Sequence, residues 1–174
     1  MMISECAQPL IYLKMGEIAF VDQPSTITTI LGSCVAVTLF DRRRGYGAMC
    51  HGVMPSCKSS ARCSGRCPRH GHYVECSVLA MVRRFGSSGV PKADIEARVF
   101  GGAELFALPS RLRGLFSVGT RNVVAATSTL TRNGIAVSSQ TVGGSTGCRI
   151  YFNTMSGAVS VQRVDPAIYP VGEH

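Results

Sequence analysis

The sequence predicts an α+β domain: a mixed, β-sandwich-like core flanked by helices. Three observations carry this. Short β-branched or alternating apolar runs recur before residue 55 and again after residue 94. Only two stretches, 73–86 and 120–132, read as main helices. Turn residues, chiefly Gly, Asn and Asp, punctuate the runs and leave no linker or internal repeat that would divide the chain. The 174 residues, 45% hydrophobic and 16% charged, fit a single domain over 1–174 with room for a real core.

Taken in order, residues 15–21 and 26–31 predict short strands, the second rich in Thr and Ile. CVAVTLF (34–40) predicts a stronger strand, closed by the turn-like Asp41–Gly45, and YGAMCHGVM (46–54) its return partner. Pro55 ends that hairpin, because proline cannot donate to a ladder. Residues 56–71 form a Cys-, Ser- and Arg-rich loop, a local insertion in the domain. Apolar residues at 74, 78, 79, 81, 82 and 85 predict an amphipathic helix over 73–86, stopped near Gly86 and Gly89. IEARVFGG (95–102) is a strand entering a Gly-Gly turn, and 120–132 a second helix that Asn133-Gly134 stops. Residues 135–141, 148–153 and 158–164 complete the strands, the last two joined by a tight turn at Thr154–Gly157.

The formal charge of +8 implies attraction to something acidic, but the arginines fall in short clusters, Arg42–Arg44, Arg83-Arg84 and Arg111/Arg113, that read as solvated faces. No apolar run approaches the roughly 18 residues of a membrane span. The N-terminal stretch lacks the basic and apolar regions of a signal peptide, so a cytoplasmic location is expected. In that compartment eight cysteines suggest metal binding, catalysis or burial rather than disulfides. Low aromatic content and the absence of tryptophan argue against stacking platforms for single-stranded nucleic acid.

The chemistry concentrates in TTILGSCVAV (28–37). A catalytic thiol needs a base, a group that orients the base, and donors for an oxyanion. Gly32 permits close approach of a substrate, and the backbone around Ser33 and Cys34 offers oxyanion donors. The proposed hairpin returns His51 to the same end of the ribbon as Cys34, and the Thr28 hydroxyl is placed to orient the imidazole. The alternative is plain burial, since a cysteine before alternating apolar residues commonly belongs to a core.

At these residues the chain resembles the CheD chemoreceptor glutamine deamidases. The resemblance runs through Thr28–Val37 and Gly47–Pro55, with the family's separation of cysteine and histidine. It continues in Val99–Ala103, Val118–Asn122, Val142–Gly144 with Arg149, and Ser156–Val161 before Arg163. It implies a Cys-His-Thr hydrolase acting on glutamine side chains of methyl-accepting chemotaxis receptors and needing no cofactor. Cys34 would be the nucleophile, His51 the general base and acid, and Thr28 the residue orienting the histidine. It also implies a fold like that of toxin-type cysteine deamidases, and the chemotaxis phosphatase CheC as a partner. The sequence departs from the family pattern on either side of the histidine, at Cys50 and Gly52.

Outside that site, Cys57, Cys63, Cys67 and His70 have a spacing that could surround a tetrahedral zinc, although none of it is a paired CxxC; a loop of reduced thiols is the plainer reading. Gly101-Gly102 and Gly143-Gly144 are turns rather than phosphate cradles, because no P-loop pattern accompanies them. Cys76 sits among apolar helix positions and reads as core. Two non-catalytic functions compete with the enzyme: a chemotaxis regulatory binding module, and a metal-stapled basic protein that binds nucleic acid.

Overall fold

The computed structural model describes residues 8–57, 67–105 and 117–164. Among them the chain forms nine strands and two helices. The strands are β1 (Leu10–Tyr12), β2 (Ile18–Val21), β3 (Thr26–Leu31), β4 (Val35–Asp41), β5 (Tyr46–Gly52), β6 (Ile95–Gly101), β7 (Val137–Val142), β8 (Cys148–Asn153) and β9 (Val159–Arg163). The helices are α1 (Val74–Ser87) and α2 (Val118–Arg132). One sheet has the order β1-β3-β8-β9 and the other β2-β5-β4-β6-β7.

The pleat explains the layering. Alternate residues of a strand face opposite ways, so β4, central in its sheet, supplies two cores at once, and all seven of its residues are buried. Ala36 and Phe40 face the first sheet and pack with Ile27, Leu31, Met49, Phe100, Ile150 and Phe152. Val35, Val37 and Leu39 face the other way, toward Val74, Val78, Met81 and Phe85 of α1 and Ala126 and Leu130 of α2. Phe40 and Phe152 meet edge to face across the sandwich with centroids 6.2 Å apart, a geometry worth about 1 kcal/mol beyond burial. Both helices therefore cover the same sheet, whereas the sequence reading had helices flanking the sandwich.

The expected hairpin is present. β4 and β5 pair antiparallel from Val35↔Gly52 to Asp41↔Tyr46. The return strand stops at Gly52 rather than residue 54, because the Val53 and Met54 amides both turn to the His72 carbonyl, at 2.9 and 3.1 Å. The loop arginines are exposed, as expected of a solvated face, and each also has a carboxylate in reach: Arg42 with Glu96, Arg43 with Asp94 and Arg44 with Asp41. α2 begins at Val118, two residues earlier than its pattern suggested, where the Ser117 hydroxyl caps the Thr120 amide. β7 lies parallel to β6, which makes β6–α2–β7 a crossover unit. Three-residue β1 is too short to carry a periodic signal and exists through its parallel pairing with β3.

Candidate active site

The site is built at the open end of the β4–β5 hairpin. Ala36 lies directly opposite His51, and Cys34 stands two residues before Ala36, one pleat repeat along the same face. Cys34 packs, half-buried, against the cluster between the sheets, as do Ala36 and Met49. His51 follows the same parity as Met49, with only 3% of its surface exposed. Cross-strand diagonal neighbours on one face sit about 7–8 Å apart in the backbone, within reach of longer side chains. The nucleophile and base expected from the sequence therefore share an end and a face.

Three carbonyls hold the turn before β4. The Ala103 amide donates to Gly32 O at 2.8 Å, the Gly102 amide to Cys34 O at 2.8 Å, and Asn122 Nδ2 to Ser33 O at 2.9 Å. Gly101, at φ +96°, must be glycine here: a Cβ on it would stand 2.3 Å from the Cys34 carbonyl oxygen. Gly32 likewise lies under Leu105, whose Cδ1 would be 2.7 Å from an added Cβ.

The hydroxyl in contact with His51 is that of Thr29, the neighbour of the Thr28 expected to orient the ring. Thr29 Oγ1 is 2.8 Å from His51 Nδ1 and 2.7 Å from the Leu13 carbonyl oxygen. Thr28 points the opposite way along the pleat, in register between Tyr12 and Tyr151, and its hydroxyl is buried without a hydrogen-bond partner among the described residues. The orienting contact assigned to Thr28 thus belongs to Thr29, the adjacent threonine whose parity faces the other sheet.

The Thr29 contacts also settle the imidazole's proton. A carbonyl only accepts, and a hydroxyl has one proton to give. Both contacts are satisfied when the hydroxyl donates to Leu13 and accepts from His51 Nδ1–H. Nε2 then keeps its lone pair, and it is the ring atom buried without a hydrogen-bond partner among the described residues. Burial pushes the imidazole down from 6.5 to about 4, against the opposing effects of the Leu13 carbonyl and the Glu17 carboxylate. Burial also pushes the Cys34 thiol above its usual 9.0, offset in part by its own backbone amide. At rest near neutral pH both the Cys34 thiol and the His51 imidazole are therefore neutral, and Nε2 makes no hydrogen bond to the thiol.

The two departures beside the histidine have structural reasons. Cys50 lies on the opposite pleat face, within the cluster under the helices, and burial pushes its thiol up to about 12. Gly52 receives the start of α1, where a Cβ would come within 2.5 Å of Val74 Cγ2 and 2.9 Å of Val74 Cα.

With this geometry in place, comparison with known proteins is informative. Residues 55–163 match the family model described as CheD chemotactic sensory transduction. A Geobacter sulfurreducens protein named "Probable chemoreceptor glutamine deamidase CheD 2" is 34% identical over 159 residues, covering 90% of this chain and 91% of its own. The chain belongs to the CheD family. Another CheD, from Oleidesulfovibrio alaskensis, carries the name "Probable chemoreceptor glutamine deamidase CheD"; it is 32% identical over 95% of this chain and 77% of its own. Among solved structures, the Bacillus licheniformis hypothetical protein YfiH is similar at a TM-score of 0.49 and 13% identity, over 74% of this chain and 51% of that one. The span matched by the CheD model begins after Cys34 and His51, so the reading of the site rests on the geometry of those residues.

In the Cys-rich region of this CheD chain, both the His70 amide and His70 Nδ1 contact the Cys67 carbonyl, and Cys76 Sγ lies 3.8 Å from Cys57 Sγ. Cys76 is buried, as the sequence reading had it, and its Sγ faces that of Cys57. Among the described residues no three His, Cys, Asp or Glu side chains form a metal-holding group; Cys63 lies outside them, as do Arg111 and Arg113. Asn122 and Leu13 went unassigned in the sequence reading, although Asn122 closes one of the segments that carry the family resemblance.

Proposed function

We propose that the chain is a chemoreceptor glutamine deamidase, which hydrolyses glutamine side chains of methyl-accepting chemotaxis receptors to glutamate and releases ammonia. The observation that carries this is the His51 arrangement: Nδ1 tied through Thr29 to the Leu13 carbonyl, Nε2 left as a base, and Cys34 on the same face. Family membership and the names of the relatives supply the substrate class.

The neutral resting pair makes His51 a general base rather than half of a standing ion pair. Nε2 takes the thiol proton as Sγ attacks the carboxamide carbon. The backbone amides of Ser33 and Cys34 receive the oxyanion, in a turn whose three carbonyls are already engaged. The imidazolium returns its proton to the departing nitrogen, ammonia leaves, and a γ-glutamyl thioester remains on Cys34. Nε2 then deprotonates a water that attacks the thioester, giving glutamate and restoring the thiol. No step calls for a cofactor. Thr29 holds the imidazole in the tautomer this sequence of transfers needs.

Three finer expectations accompany this reading: a fold kinship with toxin-type cysteine deamidases, the phosphatase CheC as a partner, and a cytoplasmic setting. The last agrees with the lack of any helix, among the described residues, long and apolar enough to cross a membrane. The test is ammonia release from a receptor cytoplasmic fragment by wild-type protein and by Cys34→Ala. Release by the wild type alone supports the reading, and equal release by both overturns it.

A further inference from the structure

We propose that Asn122 is a positioning residue that sets the separation of Cys34 and His51 by bridging the two strand ends with one side-chain amide. The inference rests on the deamidase reading of that pair. The β4–β5 ladder closes at Val35↔Gly52. One step further out, Cys34 and Val53 would face each other, but the Val53 amide has turned to His72. The strands separate where the thiol must be reachable. Asn122 Nδ2 occupies that opening, donating to Ser33 O at 2.9 Å and to Val53 O at 3.0 Å. Ser33 immediately precedes the nucleophile, and Val53 lies two residues past the base.

The helix that carries Asn122 is seated without play. A Cβ on Gly119 would stand 2.5 Å from Gly102 O, and one on Gly102 would stand 2.9 Å from Gly119 O. The same Gly102 amide donates to the Cys34 carbonyl, so α2, the Gly101–Ala103 turn and the Cys34 turn form one block. Asn122 itself is fully buried, and its Oδ1 lacks a hydrogen-bond partner among the described residues. An acceptor left unpaired in a core is costly. An amide that makes two bonds through nitrogen and none through oxygen is in place for its donors.

The test compares Asn122→Ala and Asn122→Asp with wild type and Cys34→Ala on a receptor cytoplasmic fragment, with thermal melting alongside. Misplacement of reacting groups by about 1 Å can cost about 100-fold, so Asn122→Ala should lose roughly 10- to 100-fold in kcat with KM little changed. In Asn122→Asp an ionised carboxylate would face two carbonyl oxygens, whereas the protonated acid can donate one of the two bonds. Activity of that variant relative to wild type should therefore rise several-fold between about pH 8 and about pH 5.5, a window in which His51 stays neutral. Should Asn122→Ala fail to fold, the pH dependence of Asn122→Asp decides the matter. A folded Asn122→Ala with wild-type kcat, or an Asn122→Asp ratio flat with pH, overturns the inference while a silent Cys34→Ala leaves the deamidase reading standing. An active Cys34→Ala overturns the deamidase reading itself.

Discussion

Thr29 Oγ1 lies 2.8 Å from His51 Nδ1 and also contacts the Leu13 carbonyl, so a backbone carbonyl just past the edge strand of one sheet dictates which nitrogen of a histidine in the other sheet carries the proton. Replacing Thr29 with valine keeps the shape but removes the relay. The expected outcome is a fall in kcat of about 10-fold or more, since a general base contributes about 100- to 10,000-fold when correctly protonated and aimed. Thr28→Val, on the opposite face, should keep most of the wild-type rate. Steady-state kinetics of the two variants side by side checks this, and the reverse order would return the orienting role to Thr28.

The neutral resting pair predicts a particular pH behaviour. With His51 lowered to about 4, kcat/KM should hold down to about pH 5 and fall on an acid limb centred near 4. With the Cys34 thiol raised above 9.0, alkylation of Cys34 by iodoacetamide should be slow at neutral pH and accelerate through alkaline pH. Rapid alkylation that is independent of pH from about 5 upward would instead reveal a preformed thiolate–imidazolium pair.

The same histidine links folding to pH. Its folded value lies below its unfolded one, so between about 6.5 and about 4 the unfolded chain binds the extra proton. Stability is full above about pH 6.5 and is lost as pH falls through that window, by up to about 3 kcal/mol in total. Urea titrations of wild type and His51→Gln at several pH values isolate this contribution, because the variant lacks the titrating group.

Gly101→Ala should disturb fold and site together. Its φ of +96° and the 2.3 Å approach to the Cys34 carbonyl oxygen leave no room for a methyl group. Left-handed strain and overpacking together should cost at least about 2 kcal/mol, read as a lower melting temperature. Activity measured well below that melting temperature should also fall, because the displaced carbonyl belongs to Cys34, the proposed nucleophile.

How much of this was legible in the sequence follows from how local each feature is. The β4–β5 hairpin is made by neighbouring residues with a turn-like loop between them, so Cys34 and His51 could be brought together on paper. Thr28 and Thr29 are the same residue type side by side, and the choice between them is a question of strand parity. Parity became visible only once Ile27 and Leu31 were seen to face the other sheet. Leu13 acts through its backbone and leaves no residue-type signal. Asn122 reaches the site from 69 residues beyond Val53, a contact that no local pattern encodes. Gly52 looked like a departure from the family because its reason, Val74 at the start of α1, lies across the layer boundary.

Mass spectrometry of a receptor cytoplasmic fragment, before and after incubation with wild-type protein or Cys34→Ala, tests the central claim most directly. Each glutamine converted to glutamate adds about 1 Da by the thioester route. The account predicts conversion at discrete glutamines by the wild type and none by Cys34→Ala. Conversion by Cys34→Ala at the wild-type rate, or none by the wild type, would contradict it.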